Sequence, residues 1–340
     1  MADLRTKYLG LDLKNPVICG ASDLVTSIDN LKRMEDAGAA AVVYKSLFEE
    51  QVHLENLELS ERKTEYVERN AEMVTLFPGS DTVPVFPEDH LYNLRRAKEA
   101  ISIPVIASLN AVDEKTWVEY AVKLEETGVD ALELNFYTVP EKFDSSTNET
   151  ESRQVRILAA VRSALKIPVA VKLSPFYTNP LKLISDLDNA GAAGLVMFNR
   201  LFQPDIDVDT QQHMFPYNLS NPEDKRLPLR FAGLLHGNVK ASICSNSGIF
   251  SGRDVIKMIL AGADVVEVVS TLYLNQIEVI AKMIRDIETW MDSKNYNTLE
   301  SFRGKLSRNN SQNKIPYHRA QYFDFISGTS EILKKYRAIN

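Results

Sequence analysis

Two lysines and an asparagine stand where short apolar runs of this sequence end. Lys45 follows AVVY, Lys172 follows IPVAV, and Asn135 follows DALEL. A positive charge combined with amide groups offers hydrogen bonds to a flat polar ring or to an anion. If the fold brings these chain positions together, the residues predict a site for a heterocyclic ligand.

The same position in the other apolar runs carries small or polar residues. They are Gly20, Ala21 and Ser22, then Ser46, Ser108, Asn110, Glu133 and Asn199, and finally Asn246, Ser247, Gly248, Ser270 and Thr271. The last four precede helical patterns, where exposed backbone N–H groups and the helix dipole favour phosphate. We expect a phosphate corner there. We expect Glu133 to point into the interior or at a neighbouring lysine.

Lys45 and Lys172 each end a run that is apolar almost throughout. Such surroundings leave little room for structural ion pairs, because charged residues are rarely buried without a partner. We therefore assign both lysines to the ligand site. A surface position is the alternative for each lysine, and a helix cap or turn is the alternative for each asparagine.

One sequence pattern occurs four times along the chain. In each copy a helix ends at glycine and an apolar strand follows. The copies are AGAAAVVYK from Ala37, TGVDALELN from Thr127, AGAAGLVMFN from Ala190 and AGADVVEVVS from Ala261. Glycine is the usual residue at such a helix end because it adopts the left-handed conformation without strain. The repeat predicts four strands, each entered from a preceding helix.

Four further apolar runs alternate with these copies. They are NPVICG from Asn15, IPVIASLN from Ile103, IPVAVKLS from Ile167 and KASICSNSG from Lys240. Eight short, fully apolar strands alternating with helices predict a closed TIM (β/α)₈ barrel, one domain spanning 1–340. An open doubly wound sheet is the alternative, but the first strand is followed by GASDLVTS rather than a glycine-rich phosphate loop.

The helical segments and two long connections complete the expected architecture. Apolar spacing places the helices at 27–37, 88–101, 114–127, 150–165, 179–190, 225–238, 252–261 and 273–293. The connections at 47–87 and 200–224 exceed the usual few residues. We expect both to be rim insertions on the side where the strands end.

The composition excludes several classes of partner and site. With a formal net charge of −7 and a pI near 5.4, the chain is not a general binder of nucleic acid. It has neither a leader-like segment nor a run that could span a bilayer, so we expect a cytosolic protein without a membrane partner. Cys19 and Cys244 lack disulfide or metal spacing, and the five histidines form no ligand pattern, so no metal is expected.

In order along the chain, six segments resemble the dihydroorotate dehydrogenase family, especially its soluble class 1 members. The segments are KNPVICGAS, VVYKS, IPVIASLN, ALELNF, IPVAVKLSP and NSGIFSGRDVIKMILAGADVVEV. The resemblance implies an FMN-dependent oxidoreductase that passes a hydride from dihydroorotate or a related reduced pyrimidine to the flavin. It also implies a homodimer, and it leaves the electron acceptor open.

The resemblance carries residue roles to this chain. It implies that Ala21, Ser22, Lys45, Ser46, Asn135 and Lys172 surround the FMN ring, and that Ser247, Gly248, Ser270 and Thr271 hold its phosphate. Asn110, Asn135 and Asn199 would bind the substrate, and Lys45 and Thr138 would be catalytic. The family's Asn-Leu-Ser-Cys-Pro-Asn motif reads NFYTVP here, so Thr138 replaces the cysteine base and Tyr137 is a second candidate.

The same residues are compatible with two other functions. A Schiff-base aldolase or lyase would use Lys172 as a nucleophile and the phosphate corner for a sugar phosphate. A catalytically inactive, divergent paralogue would bind flavin without turnover. Covalent trapping on Lys172 and flavin reduction by dihydroorotate would distinguish the three.

Overall fold

A computed structural model describes residues 2–50, 88–137, 147–200, 204–214 and 219–318. The strands are β1 Thr6–Tyr8, β2 Leu11–Leu13, β3 Val17–Cys19, β4 Ala41–Val43, β5 Leu47–Phe48, β6 Val105–Asn110, β7 Ala131–Asn135, β8 Val169–Leu173, β9 Gly194–Met197, β10 Asp205–Asp207, β11 Gln212–Met214, β12 Ser242–Asn246 and β13 Val265–Val268. The ring order is β3, β4, β6, β7, β8, β9, β12 and β13, which pairs again with β3. All eight pairings are parallel, so the predicted barrel is confirmed.

Helices follow the strands around the outside of the barrel. Their bounds are α1 Ile28–Asp36, α2 Glu88–Ala100, α3 Glu114–Glu125, α4 Thr147–Ala164, α5 Pro180–Asn189, α6 Arg226–Leu235, α7 Gly252–Ala261, α8 Ser270–Asn275 and α9 Val279–Ser293. The prediction of one helix over 273–293 is wrong. Gln276 has a φ of 65°, which ends α8 and separates it from α9.

Strand residues alternate between two apolar environments. Ala131, Ala170 and Val265 belong to a small cluster inside the barrel, whereas Leu132 and Val171 belong to the large cluster shared with the helices. Because side chains two residues apart on a strand point to the same side, Glu133, Lys172 and Glu267 follow the inward-facing residues. The sequence alternation therefore directs charged groups into the barrel above its apolar floor.

A short hairpin formed by β1 and β2 closes the end of the barrel where the strands begin, and it was not predicted. Leu9 N donates to Ser242 Oγ at 3.3 Å at the start of β12. A Cβ on Gly194, the first residue of β9, would lie only 2.4 Å from Leu9 Cδ2. Tyr8 and Leu9 are buried against the interior cluster. The hairpin thus seals the barrel opposite the strand ends that carry the candidate site.

The two predicted rim insertions are described in part. Only β5 and the two residues after it represent the first, since 51–87 lie outside the described residues. The second contains an exposed hairpin of β10 and β11, in which Ile206 pairs with His213, while 201–203 and 215–218 are outside the described part. No helix in the described ranges combines the length and apolarity that crossing a bilayer requires.

Candidate functional site

The carboxyl ends of the barrel strands form a polar cup. Asn135 and Lys172 are direct neighbours in the register of β7 and β8. Asn199, just after β9, donates from Nδ2 to Asn135 Oδ1 at 2.6 Å, and its backbone N–H bonds Leu173 O at 2.8 Å. Three residues that the sequence places far apart, Asn135, Lys172 and Asn199, therefore meet on one side of the cup.

A second side of the cup is built around β5 and β6. Ser46 Oγ and Ser108 Oγ are 2.6 Å apart and both side chains are buried. Asn110, also buried, pairs in register with Phe48. Lys45 lies at the edge, where its Nζ is 2.7 Å from Asp23 Oδ1 and its side chain remains 40% exposed. Lys45 is therefore a partly exposed residue of the rim that already has an ion-pair partner.

The cup has a charged floor inside the barrel. Lys172 Nζ lies 2.9 Å from Glu267 Oε2 and 3.4 Å from Glu133 Oε1. The relative exposures of the three side chains are 7%, 0% and 1%. The expectation that Glu133 points into the interior or at a lysine is confirmed. The expectation that the strand ends leave little room for ion pairs is wrong for both Lys45 and Lys172.

The floor perturbs the titration of its members. Burial lowers the pKa of Lys172, but attraction from Glu133 and Glu267 outweighs that effect and raises the net pKa above its ordinary value. Burial, followed by repulsion from Glu267, raises the pKa of Glu133 well above its ordinary value despite the opposing charge of Lys172. Lys172 is therefore a stable ammonium, whereas a Schiff-base nucleophile needs a neutral amine. This charge state argues against Lys172 as the nucleophile of an aldolase.

The predicted phosphate corner is assembled as expected in space but already contains a hydroxyl. Gly248 N donates to Ser220 Oγ at 3.2 Å, and Ser220 Oγ lies 2.9 Å from Ser270 Oγ. The Ser220 backbone N–H also donates to Ser270 Oγ at 2.8 Å. The segment after Ser220 packs tightly here, because a Cβ on Gly248 would lie 2.3 Å from the backbone nitrogen of Lys225. The corner thus binds an oxygen acceptor that belongs to the chain itself.

The remaining corner residues have local partners. Ser247 Oγ donates to Phe198 O at 3.3 Å, and Asn275 Nδ2 donates to Thr271 Oγ1 at 3.0 Å. Ser247 has a φ of 76°, beside the φ of 72° at Gly248, so two consecutive residues adopt left-handed backbone. Left-handed backbone is uncommon for a residue other than glycine, so Ser247 marks a tight turn at this corner.

The end of β3 is another place in the cup where the backbone packs closely against its neighbours. A Cβ on Gly20 would lie 2.7 Å from Val269 Cγ2 and 3.3 Å from Glu267 Oε2. Two residues further, Ser22 Oγ is buried and has no hydrogen-bond partner among the described residues. Ala21 is partly buried between them. This edge offers an unused hydroxyl to a bound ring.

The two candidates for the proton-accepting role have different outcomes. Thr138 lies outside the described residues, so its role stays a prediction. Tyr137 is described and half-buried, and its backbone N–H bonds Asn135 O at 2.9 Å. Within the described ranges, no cluster of three histidine, cysteine or acidic residues could hold a metal ion.

Glu267 and Ser220 are the residues of the site that sequence reasoning missed. Glu267 had a detectable signal, since it is a lone carboxylate in the apolar run VVEVV and falls on the inward-facing side. Ser220 had none, because it returns to the rim from a long connection without a regular pattern.

The fold and the cup together define a class: a TIM barrel whose polar, charged site lies where the parallel strands end. The family model for dihydroorotate dehydrogenase matches residues 78–291, which is more than half of the chain. The chain therefore belongs to the dihydroorotate dehydrogenase family, a family of dehydrogenases.

Individual relatives agree with this assignment over nearly their whole length. The chain is 30% identical to the catalytic subunit of dihydroorotate dehydrogenase B (NAD(+)) from Methanocella arvoryzae, over 84% of this chain and 92% of the relative. The subunit of the same name from Methanocaldococcus jannaschii is 25% identical, over 88% and 97%. That from Thermoplasma volcanium is 28% identical, over 89% and 98%.

Proposed function

We propose that this chain is an FMN-dependent dehydrogenase that oxidises dihydroorotate or a closely related reduced pyrimidine. The observation that carries the proposal is the convergence of Lys172, Asn135 and Asn199 on one cup in a member of this family. Dihydroorotate is a ring with amide groups and a carboxylate, and amides with an ammonium complement such a ring.

The ring end of the cup fits a flavin. Ser22 Oγ is a buried hydroxyl that lacks a partner in the described part of the chain, so a polar edge of the ring would satisfy it. Lys172 uses two of its three N–H donors on Glu267 and Glu133, which leaves the third for a ring oxygen or nitrogen.

The phosphate end also fits, with Ser220 as an added contact. Gly248 N and Ser270 Oγ already surround an oxygen atom, the hydroxyl of Ser220. A phosphate oxygen at this corner would replace or join that hydroxyl as the acceptor of the Gly248 N–H. Backbone donors of this kind survive the change from a glycine pair to Ser247 and Gly248, because the N–H groups remain.

The chain's own residues then have defined tasks. When bound, FMN supplies the acceptor for the hydride that leaves the substrate's CH–CH bond. Asn110, Asn135 and Asn199 would orient the substrate ring through their amides, and Lys45 would attract its negative charge at the rim. The Thr138 hydroxyl would accept the proton from the adjacent substrate carbon, which requires a neighbouring base because a hydroxyl proton is hard to remove unaided.

The names of the relatives suggest an electron acceptor and a second subunit. Those proteins are called catalytic subunits and use NAD(+), so we propose that a separate subunit passes electrons from this chain to NAD(+). A homodimer, the single-domain assignment and a cytosolic location stay predictions.

The test is anaerobic mixing of the FMN-loaded protein with dihydroorotate. The proposal predicts loss of the oxidised flavin absorbance and formation of orotate, whereas an unchanged spectrum with FMN bound would refute dehydrogenation and favour the inactive paralogue. Thr138→Ser and Thr138→Val form a matched pair, because only serine keeps the hydroxyl. Valine should slow flavin reduction by roughly 10²–10⁴-fold without loss of FMN.

Borohydride trapping should leave Lys172 unmodified, and a covalent adduct would support the lyase.

A further inference from the structure

Two carboxyl groups in this barrel share one ammonium out of reach of water. Glu133 comes from β7, Lys172 from β8 and Glu267 from β13, and none of the three side chains is more than 7% exposed. Both carboxyl groups approach the same nitrogen, at 3.4 Å and 2.9 Å. The two carboxyl groups also interact directly through their side chains, which contributes to the raised pKa of Glu133.

The charges of this layer do not balance if every group is ionised. Two carboxylates and one ammonium sum to a net charge of −1, and an uncompensated charge is strongly disfavoured where water is excluded. The other titratable groups facing the layer are Tyr8 from the hairpin of β1 and β2 and Cys244 from β12. Burial raises the pKa of both well above ordinary values, so both are neutral and neither offsets the excess charge.

One oxygen of the layer lacks a donor. Glu267 Oε2 accepts from Lys172, but Glu267 Oε1 is buried and accepts no hydrogen bond from the described residues. Glu133 is the other carboxyl group at the same ammonium, and an acid proton on it would be the missing donor. Such a proton would also bring the net charge of the layer to zero.

We propose that Glu133 and Glu267 share one proton and that the resulting neutral layer holds Lys172 as an ammonium with one N–H directed into the cup. In the neutral layer the third N–H of Lys172 faces the ligand, so the floor offers a hydrogen-bond donor to a ring with a negative edge. Without that proton the floor would carry a net negative charge and would repel such a ring. Glu133 and Glu267 are thus positioning residues for Lys172, and the inference holds whether or not the bound ring is a flavin.

Infrared spectroscopy of the full-length protein with ¹³C-labelled glutamate tests the proposal. A protonated carboxyl group has a C=O band well separated from carboxylate bands, and the label shifts it. At a pH of about 6, where an ordinary glutamate with a pKa of 4.5 is ionised, the wild type should show this band, protected from rapid solvent exchange. Absence of the band from the folded wild type would overturn the proposal, whether or not any variant folds.

Two variants distinguish a shared proton from a simply buried acid. Glu133→Gln removes one acid and leaves the ionised pair of Lys172 and Glu267, so the band should disappear. In Glu267→Gln the repulsion on Glu133 is gone, and Glu133 should ionise against Lys172, so the band should disappear again. A band that survives in folded Glu267→Gln would mean that Glu133 is protonated by burial alone. The exposed Glu119→Gln is the control and should keep the band unchanged.

Discussion

Lys172 Nζ lies 2.9 Å from Glu267 Oε2, although β9 and β12 separate their strands in the barrel. The contact therefore crosses the interior and joins opposite walls below the polar cup. Because Glu133 reaches the same nitrogen, this one ammonium fixes three strands and defines the floor on which a ligand ring would rest.

Removing the ammonium should destabilise the fold. Lys172→Met leaves two buried carboxyl groups without their cation, and breaking a buried ion pair in this way costs about 3–5 kcal/mol. Urea unfolding at pH 7 measures the change. The exposed pair of Lys182 and Asp186 provides the control, since Lys182→Met should change the free energy of unfolding by no more than about 0.5 kcal/mol. Equal small effects for both variants would show that the floor is not a structural ion pair.

The pH dependence of stability should report the proton on Glu133. Its folded pKa is well above the ordinary 4.5, so the folded state binds more protons than the unfolded state between the two values. The contribution of Glu133 to the free energy of unfolding is fully present below pH 4.5 and is lost as pH rises through the folded pKa. The free energy of unfolding should fall over this range by at most about 1.4 kcal/mol per pH unit. For Glu133→Gln, the free energy of unfolding should depend less steeply on pH than it does for the wild type over this pH range. Parallel curves for the two proteins would contradict the assignment.

His90 should make the protein sensitive to acid. It lies against the Tyr44 ring at a centroid distance of 5.5 Å, and burial, aided by Lys45, lowers its pKa from 6.5 to about 4. The unfolded state therefore binds more protons as pH falls from 6.5 toward 4, which removes on the order of 3 kcal/mol of stability.

A variant without the imidazole should lack that loss. His90→Phe should unfold with a flatter dependence on pH below 6.5, whereas the exposed His213→Phe should follow the wild type. Chemical unfolding at several pH values measures both. If His90→Phe loses stability in acid as steeply as the wild type does, another group is responsible.

Gly20 should tolerate a side chain only if the neighbouring side chain of Val269 is made smaller. A Cβ at this position would lie 2.7 Å from Val269 Cγ2, and overpacking of this kind costs about 1–3 kcal/mol. Gly20→Ala should lower the free energy of unfolding and weaken FMN binding. Adding Val269→Ala should restore part of the stability and part of the FMN affinity. A double-mutant cycle measures this coupling. Purely additive effects would mean that the two residues do not compete for space.

The barrel could be predicted from sequence because its signals are local and repeated. Each glycine-ended helix leads into an apolar strand within a few residues, and AGAAAVVYK and AGADVVEVVS repeat that pattern. The hairpin of β1 and β2 escaped prediction because three-residue strands such as Thr6–Tyr8 carry no readable alternation. The break before α9 escaped because a single left-handed residue, Gln276, interrupts an otherwise helical pattern.

The sequence predicted which residues lie at the candidate site, but it did not predict which residues they contact. The strand-end rule places Asn135, Lys172 and Asn199 in one cup, since parallel strands end on the same side of a barrel. It could not place the partners of Lys172, which lie 39 and 95 residues away along the chain. Which inward-facing groups touch depends on strand order and side-chain reach, and local sequence patterns carry neither.

The most direct test of the account is equilibrium binding of FMN and riboflavin to the purified full-length protein, followed by visible absorbance. If the strand ends form one cup with a phosphate corner, FMN should bind stoichiometrically, with the bands of an oxidised flavin, and much more tightly than riboflavin. Gly248→Ala, which forces a Cβ into the backbone of Lys225, should remove most of that preference. A colourless protein that takes up neither compound would contradict the central claim that these strand ends build a flavin site.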